Sequence, residues 1–491
     1  MNRYLYFMLN IPDKINNFIG GKYLPPVGNK YLKNVNPATG KVFSSIASSD
    51  NRDVETAVTQ AKKAFVEWSK SPVEYRFSIL NKLAELIEAH KDELALAETT
   101  DNGKPLWLSK KVDIPRAAAN FRFFATGIMH FAQESHAMSN AINYTLRQPL
   151  GIVGCISPWN LPLYLFTWKI APALAAGNCV IAKPSEVTPL TAYILGDLAN
   201  KAGLPPGVLN ILQGTGKNCG KAIVSHPEIK AISFTGSTRA GREISAIAAP
   251  MFKKLSLELG GKNPNIIFAD CDWDKMMKVT LQSSFSNQGQ ICLCGSRILV
   301  QESIYKKFVK EFVESTKLLS VGDPLDDTSK QGAIVSEDHF NKILRAIETA
   351  KEEGGKILYG GKKVVLKGRC KDGYFIQPTI IEGLGPTCKS NREEIFGPVV
   401  TLQSFKNEED ALRLANDCEY GLSATLWTQD INCAQRVANN IHAGIVWVNC
   451  WLIRDLRTPF GGVKNSGTGR EGGWDALRFF TEAKNVCIDL S

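Results

Sequence analysis

From Asp53 to about His90, apolar residues recur every three or four positions, as in "VETAVTQAKKAFVEW" and "FSILNKLAELIEAH", with charges between them. That spacing predicts amphipathic surface helices that turn one face to a core. Beyond Leu150 the pattern changes to short apolar runs, "GIVGCI", "CVIAK", "VLNILQG", "AISFTG" and "KLSLEL", separated by helical stretches such as "LTAYILGDLANKAG". Strand alternating with helix in this way predicts a parallel sheet of the doubly wound kind. A second series opens near Asn265 with "NIIFAD" and continues through "SRILVQ" and the helix "YKKFVKEFVESTKLL", which predicts a second α/β domain. Between Gly127 and Gln148 the helical period is lost and the chain turns polar. That segment and the tail "NVCIDL" read as material that pairs outside either core.

A chain of 491 residues exceeds one ordinary core, and its 44% hydrophobic content is ample for two or three domains. The net charge of +10 comes from 58 Lys/Arg against 48 Asp/Glu with no basic run of the kind that tracks a phosphate backbone, so no nucleic-acid partner is expected. No run approaches the roughly 18 apolar residues a membrane span needs. The opening "MNRYLYFML" has too short an apolar core, and no small-residue cleavage site, for a secretory leader, so a cytoplasmic protein is expected. Twelve cysteines scattered from Cys155 to Cys487 form no disulfide framework. Only Cys292 and Cys294 are close in sequence, and without CxxC, HExxH or a histidine cluster no metal site is expected.

Four segments carry candidate chemistry. In "ISFTGSTRAGREI" an apolar strand runs into Gly236 and Ser237 and then a helix containing Gly241, and a helix N-terminus there suits a pyrophosphate. The spacing is GSxxxG rather than GxGxxG, and a plain strand-to-helix turn explains it equally well. The neighbouring "GTGKNCGKA" fails as a triphosphate loop on spacing and lacks the Ser/Thr after its final Gly-Lys. In "IAKPSEVTP" a strand ending at Ala182 delivers Lys183 and Glu186 to the carboxyl end of a sheet. A carboxylate there accepts from a ribose 2′-hydroxyl and repels a 2′-phosphate, favouring NAD over NADP, although a solvated Lys and Glu are the bland alternative. In "KLSLELGGKNP" Glu258 sits among leucines, where its pKa rises and it can serve as a base for water. In "NQGQICLCG" a thiol beside Gly289 becomes a nucleophile if positive charge or helix-end N–H groups depress its pKa; otherwise it is a small buried hydrophobe.

In this order, and with "PWNLPL" (Pro158 to Leu163), "KPSE" (Lys183 to Glu186), "FTGS" (Phe234 to Ser237), "LELGGKNP" (Leu257 to Pro264), "GQICL" (Gly289 to Leu293), "EEIFGPV" (Glu393 to Val399) and "PFGGVKNSGTGRE" (Pro459 to Glu471), the chain resembles the NAD(P)-dependent aldehyde dehydrogenase superfamily over essentially its whole length. The resemblance implies Cys292 as nucleophile, Glu258 as general base, and Asn160 with the Cys292 N–H as oxyanion donors. It implies cofactor contacts from Ile156, Ser157, Pro158, Trp159, Lys183, Ser185, Glu186, Gly216, Phe234, Gly236, Ser237, Leu259 and Gly260. Glu394 and Phe396 match the residues at the nicotinamide ribose and ring. It also implies two doubly wound domains and a flap that joins subunits into dimers or tetramers. Residues 1–126 and 149–260 would bind NAD, 261–459 form the catalytic domain, 127–148 and 478–491 the flap, and 460–477 return to the cofactor domain.

Three stretches, "DIPRAAANFRFFA", "NQGQICLC" and "VNCWLIRDLRTPFGG", resemble the branch of that family acting on 2-aminomuconic and 2-hydroxymuconic semialdehydes. That branch binds its substrate carboxylate with arginines matching Arg116 and Arg454, and a guanidinium fork suits a carboxylate physically. Asn160 would also hold the 2-amino or 2-hydroxy group, and Trp168, Phe460 and Trp451 would line the substrate tunnel. The expected substrate is therefore a small aldehyde carrying a carboxylate. Cys294 has no family role.

Overall fold

The computed structural model describes residues 11–491, so the "MNRYLYFML" stretch lies outside the described residues. Among these, the predicted alternation after Leu150 becomes an eight-stranded sheet. Its parallel centre runs Lys254–Glu258, Ile229–Thr235, Ile152–Ile156, Cys179–Lys183, Leu209–Ile211. The central strands Ile152–Ile156, Cys179–Lys183 and Leu209–Ile211 are continuous runs of buried residues, as expected of a parallel sheet covered on both faces. The predicted surface helices are Asn51–Trp68 and Val73–Ala89. The strand expected to end at Ala182 extends one residue further, so Lys183 is paired within the sheet opposite Ile156.

Antiparallel strands close both edges of this sheet. Gly467–Thr468 pairs with Lys254–Glu258 at one side, and Asn17–Ile19 with Lys22–Leu24 extends the other. The second hairpin escaped the pattern reading because its strands are three residues each. A signal was nevertheless present in the Gly20-Gly21 turn, where both glycines have positive φ (58° and 77°).

The second α/β series forms a seven-stranded sheet ordered Lys356–Tyr359, Thr379–Glu382, Val399–Phe405, Arg297–Gln301, Pro264–Ile267, Ser423–Trp427, Ile445–Val448. All neighbours are parallel except the first pair. The polar segment before Leu150 and the C-terminal tail pair outside both sheets: Ala141–Pro149 runs antiparallel to Thr481–Asp489 over nine residue pairs. The helix Ile114–Met129 reaches slightly past Gly127 before this ribbon begins. Among the described residues, no helix is long and apolar enough to cross a membrane.

Candidate active site

Cys292 stands after a turn that the sequence alone did not reveal. The helix Trp273–Phe285 ends, and Asn287, Gln288 and Gly289 follow with φ of 52°, 56° and 69°. Successive left-handed residues are costly unless neighbours over-determine them. Here they are held by side chains: Gln288 Nε2 donates to Ala333 O at 2.9 Å, and Asn287 Nδ2 donates to Asn160 O at 2.9 Å. Gly289 is obligatory, since a Cβ there would lie 2.0 Å from Gly397 O. On the far side Asn263 Nδ2 donates to Cys292 O at 2.7 Å, and Gly261 gives that carbonyl room to approach. The Cys292 carbonyl is thus tied down, while among the described residues its N–H has no acceptor.

Cys292 and Asn160 line one cavity of about 190 Å³, together with Pro158, Trp159, Gly236, Ser237, Leu259, Gly260, Glu394 and Phe396. Asn160 Nδ2 spends one hydrogen on Gln290 O at 3.0 Å, which leaves its second for a ligand. The condition set for an activated thiol, a pKa lowered by positive charge or helix-end N–H groups, is not met by these surroundings. Burial pushes the Cys292 thiol up, and the carboxylates of Glu394 and Glu258 add to this; Arg454 acts weakly the other way. Cys294 is buried, with its thiol pushed up to about 12, chiefly by burial. All twelve cysteines are free.

Glu258 ends its strand fully shielded, with Oε1 unpartnered and against Gly461, where a Cβ would come within 2.7 Å. Burial raises its pKa well above 4.5, and the Glu471 carboxylate raises it further. Glu471 is itself neutralised by Lys169 Nζ at 2.6 Å, with Ser233 Oγ 3.2 Å away. Glu394 lies over the Gly260-Gly261 pair, accepting from Gly261 N at 2.9 Å, and burial lifts its pKa to about 7.

A second, larger cleft of about 660 Å³ adjoins this one and is walled by Ile156, Glu186, Gly216 and Phe234. The Gly-rich segment rejected as a triphosphate loop forms a π-helical turn, Gly216–Gly220, that contributes Lys217 to its wall. Glu186 accepts from Lys183 Nζ at 3.1 Å and from Gly216 N at 3.4 Å. Burial opposes the ionised form, but Lys183 and these donors outweigh it and hold the Glu186 carboxylate below the usual range. Ser237 caps the helix Thr238–Ala248, accepting from Ala240 N at 3.3 Å, and Gly241 lets that helix close on Leu259. Lys183 and Ser185 are buried behind the wall and face neither space, and Ser157 donates its backbone N–H to Lys183 O.

Arg116 and Arg454 converge on one tyrosine. Arg454 Nη1 donates to Tyr164 Oη at 2.9 Å, and the Arg116 guanidinium lies 5.5 Å from the Tyr164 ring centre. Arg454 also rests on Phe460 at 3.9 Å and on Trp168 at 5.1 Å. Those two aromatic rings are buried and support the arginine, and Trp451 is tied to Leu293 O through its indole N–H at 2.9 Å. Among the described residues, Arg116 Nε and Nη2 and Arg454 Nη2 are shielded from water yet have no acceptor, and neither arginine forms an ion pair. Burial lowers the Arg116 pKa, and the Arg454 charge beside it lowers it further.

Sequence reasoning did not single out Tyr164, His339, Lys342, Thr235 or the Lys169–Glu471 pair. His339 lines the cavity between Trp159 (5.0 Å) and Phe396 (6.1 Å), and burial lowers its pKa to about 4, keeping it neutral. Its one sequence signal is a histidine among only six, which carries little weight alone.

Comparison with known proteins agrees with this geometry. The description of the aldehyde dehydrogenase family matches residues 23–486. The chain belongs to the aldehyde dehydrogenase family. Among curated relatives, 2-aminomuconic semialdehyde dehydrogenase of Danio rerio is 49% identical over 479 residues, covering 96% of this chain and 98% of the relative. The 2-hydroxymuconic semialdehyde dehydrogenase of Pseudomonas sp. (strain CF600) is 43% identical over 484 residues, 97% of this chain and 100% of the relative. Among solved structures, betaine aldehyde dehydrogenase of Staphylococcus aureus in complex with NAD+ aligns with a TM-score of 0.94 at 36% identity, covering 97% of each chain. This aldehyde dehydrogenase is therefore an aldehyde-oxidising enzyme served by an NAD-type cofactor. The two adjoining spaces fit such a group: a capped helix N-terminus lies at their junction, an acidic residue in the larger cleft, and aromatic rings beside the thiol in the smaller. Among the described residues, no group of acidic, histidine or cysteine side chains is set to hold a metal ion.

Proposed function

We propose that this aldehyde dehydrogenase oxidises an aldehyde bearing a carboxylate, 2-aminomuconate 6-semialdehyde, to 2-aminomuconate, using NAD. The observation that carries the substrate class is the pair Arg116 and Arg454, partly buried and facing one tyrosine, with three guanidinium nitrogens that no acceptor among the described residues satisfies. Unpaired buried guanidinium N–H groups are costly, and a ligand carboxylate satisfies several at once. Arg454 lies within electrostatic reach of both Cys292 and Glu258, which suits a substrate anchored at one end and reacting at the other. The names of the relatives in zebrafish and Pseudomonas support the same class.

The residues then divide the work. The arginines hold the carboxylate, and Cys292, once its thiol proton has passed to solvent water, attacks the aldehyde carbon through sulfur, the C=O electron pair moving onto oxygen. The developing oxyanion takes the free hydrogen of Asn160 Nδ2 and the unused Cys292 N–H. A nicotinamide held beside Phe396 and Glu394 would supply the acceptor for the hydride that the substrate carbon gives up as the oxyanion collapses. Cys292 is left as a thioester, and Glu258, whose raised pKa makes it a strong base once ionised, draws a proton from water to hydrolyse it. On the cofactor side, Glu186 would accept from a ribose hydroxyl and repel a 2′-phosphate, favouring NAD over NADP. The ribbon from 127–148 and 478–491 is the proposed subunit-joining flap, set apart from a cofactor domain (1–126, 149–260, 460–477) and a catalytic domain (261–459).

An NADH-forming assay across 2-aminomuconic and 2-hydroxymuconic semialdehydes, betaine aldehyde and hexanal tests this reading. The expected order of kcat/KM places the muconic semialdehydes first. Equal rates with hexanal would remove the carboxylate from the substrate definition.

A further inference from the structure

We infer that Lys104, buried with Glu98 and Asp113, is the positioning residue of the oxyanion site, acting through the peptide carbonyl of Asn160. All three side chains are completely shielded from water. Lys104 Nζ donates to Asp113 Oδ2 at 2.6 Å and to Asn160 O at 3.0 Å, with Glu98 Oε1 at 3.6 Å. The same cluster reaches the next residues of that turn. Leu163 N donates to Glu98 Oε2 at 3.2 Å, and Asn102 Nδ2 donates to Trp159 O at 2.8 Å.

Three successive anchors from one short stretch, Glu98 to Lys104, therefore grip the irregular segment from Trp159 to Leu163. That segment has no ladder or helix of its own until Pro162–Ala175 begins. Asp113 is delivered by a π-helical turn, Ser109–Asp113, wedged between the helices Leu106–Leu108 and Ile114–Met129. Such π turns disrupt regular helix and recur at functional sites. A buried ion cluster is weak evidence for stability, since apolar residues of similar volume serve as well or better; fixing one conformation is its better-attested use. Here the conformation fixed is that of Asn160, whose carbonyl is clamped between Lys104 Nζ and Asn287 Nδ2 while its side-chain amide, held on Gln290 O, belongs to the lining of the cavity that Cys292 also lines.

This inference rests on Asn160 being an oxyanion donor, so the test is a double-mutant cycle on the NAD-loaded enzyme with hexanal and 2-aminomuconate 6-semialdehyde as substrates. Asn160→Ala alone is expected to lower kcat/KM by about 10²–10³-fold. Lys104→Met alone is expected to lower it at least roughly tenfold with both aldehydes, while the dissociation constant for NAD moves less than about twofold. In the Asn160→Ala background, Lys104→Met should cost less than about threefold, because residues acting through one another are non-additive. Should Lys104→Met fail to fold, Asp113→Asn, which keeps the cation and removes its nearest counter-charge, is expected to show the same non-additivity.

Full additivity of the Lys104 or Asp113 change with Asn160→Ala would overturn the positioning role and leave the oxyanion reading intact. An unchanged kcat/KM in Asn160→Ala alone would overturn both.

Discussion

The two ends of the active site treat charge in opposite ways. On the wall of the larger cleft Glu186 is already paired, at 3.1 Å, with the cation Lys183 buried behind it, and that pair is complete within the chain. At the other end Arg116 and Arg454 share a tyrosine but no anion, and three of their N–H-bearing nitrogens are left shielded and unpaired. A region whose charges are satisfied internally recognises a ligand through shape and hydroxyl contacts. A region that leaves buried cations waiting recognises one through its charge. Cys292 and Glu258, both within electrostatic reach of Arg454, have pKa values raised chiefly by burial.

The largest break in this arrangement is expected at its centre. Glu258→Gln should retain a stoichiometric NADH burst yet lower steady-state turnover by about 10²–10⁴-fold, as read by stopped-flow absorbance; loss of the burst itself would reassign Glu258 to the earlier step. In the unaltered enzyme the base form of Glu258 accumulates only as pH rises through its elevated pKa. The acid limb of the turnover profile should therefore lie well above pH 4.5 and vanish in the Gln variant.

Next in size is removal of an unpaired cation. Arg116→Ala or Arg454→Ala should raise KM for the muconic semialdehyde by about 10–100-fold, following the roughly 1.5–3 kcal/mol of a hydrogen bond to a charged group, and leave KM for hexanal near its starting value. Equal effects on both aldehydes would mean the arginines support the fold rather than bind charge.

Smaller again is the internally paired end. Glu186→Gln should shift the ratio of kcat/KM for NADP over NAD upward by about tenfold, a step of about 1.4 kcal/mol. An unchanged ratio would move cofactor choice away from this carboxylate. The smallest effect belongs to the shared tyrosine: Tyr164→Phe should raise KM for the muconic semialdehyde about 2–10-fold with kcat unchanged, since Arg454 loses one orienting acceptor but keeps its charge for the carboxylate.

Much of the fold was legible because periodicity reports burial directly. The parallel strands and the amphipathic helices announced themselves in this way, and even the ribbon Ala141–Pro149 with Thr481–Asp489 showed as a segment that fits no core. The short hairpin at Asn17–Leu24 did not, since three-residue strands carry too little alternation to register. Within the site, Cys292, Glu258 and Asn160 were reachable through motif resemblance, whereas Tyr164 and Lys104 were not. A tyrosine and a lysine inside ordinary-looking helical text gain meaning only from what they meet, Arg454 Nη1 at one and Asn160 O at the other.

The sequence by itself determined the family, the two α/β series and the residue types available for thiol chemistry, since these depend on local order and on spacing along the chain. Tertiary structure decided the protonation tendencies and the partnerships. Burial beside Glu394 and Glu258 raises the Cys292 thiol, and Trp168 and Phe460 pack on the Arg454 guanidinium. Arg116 and Arg454, separated by hundreds of residues, become one unpaired cationic site. The physical reason is common to all three: desolvation and Coulomb energy depend on distance and burial in space, which no spacing along the chain encodes.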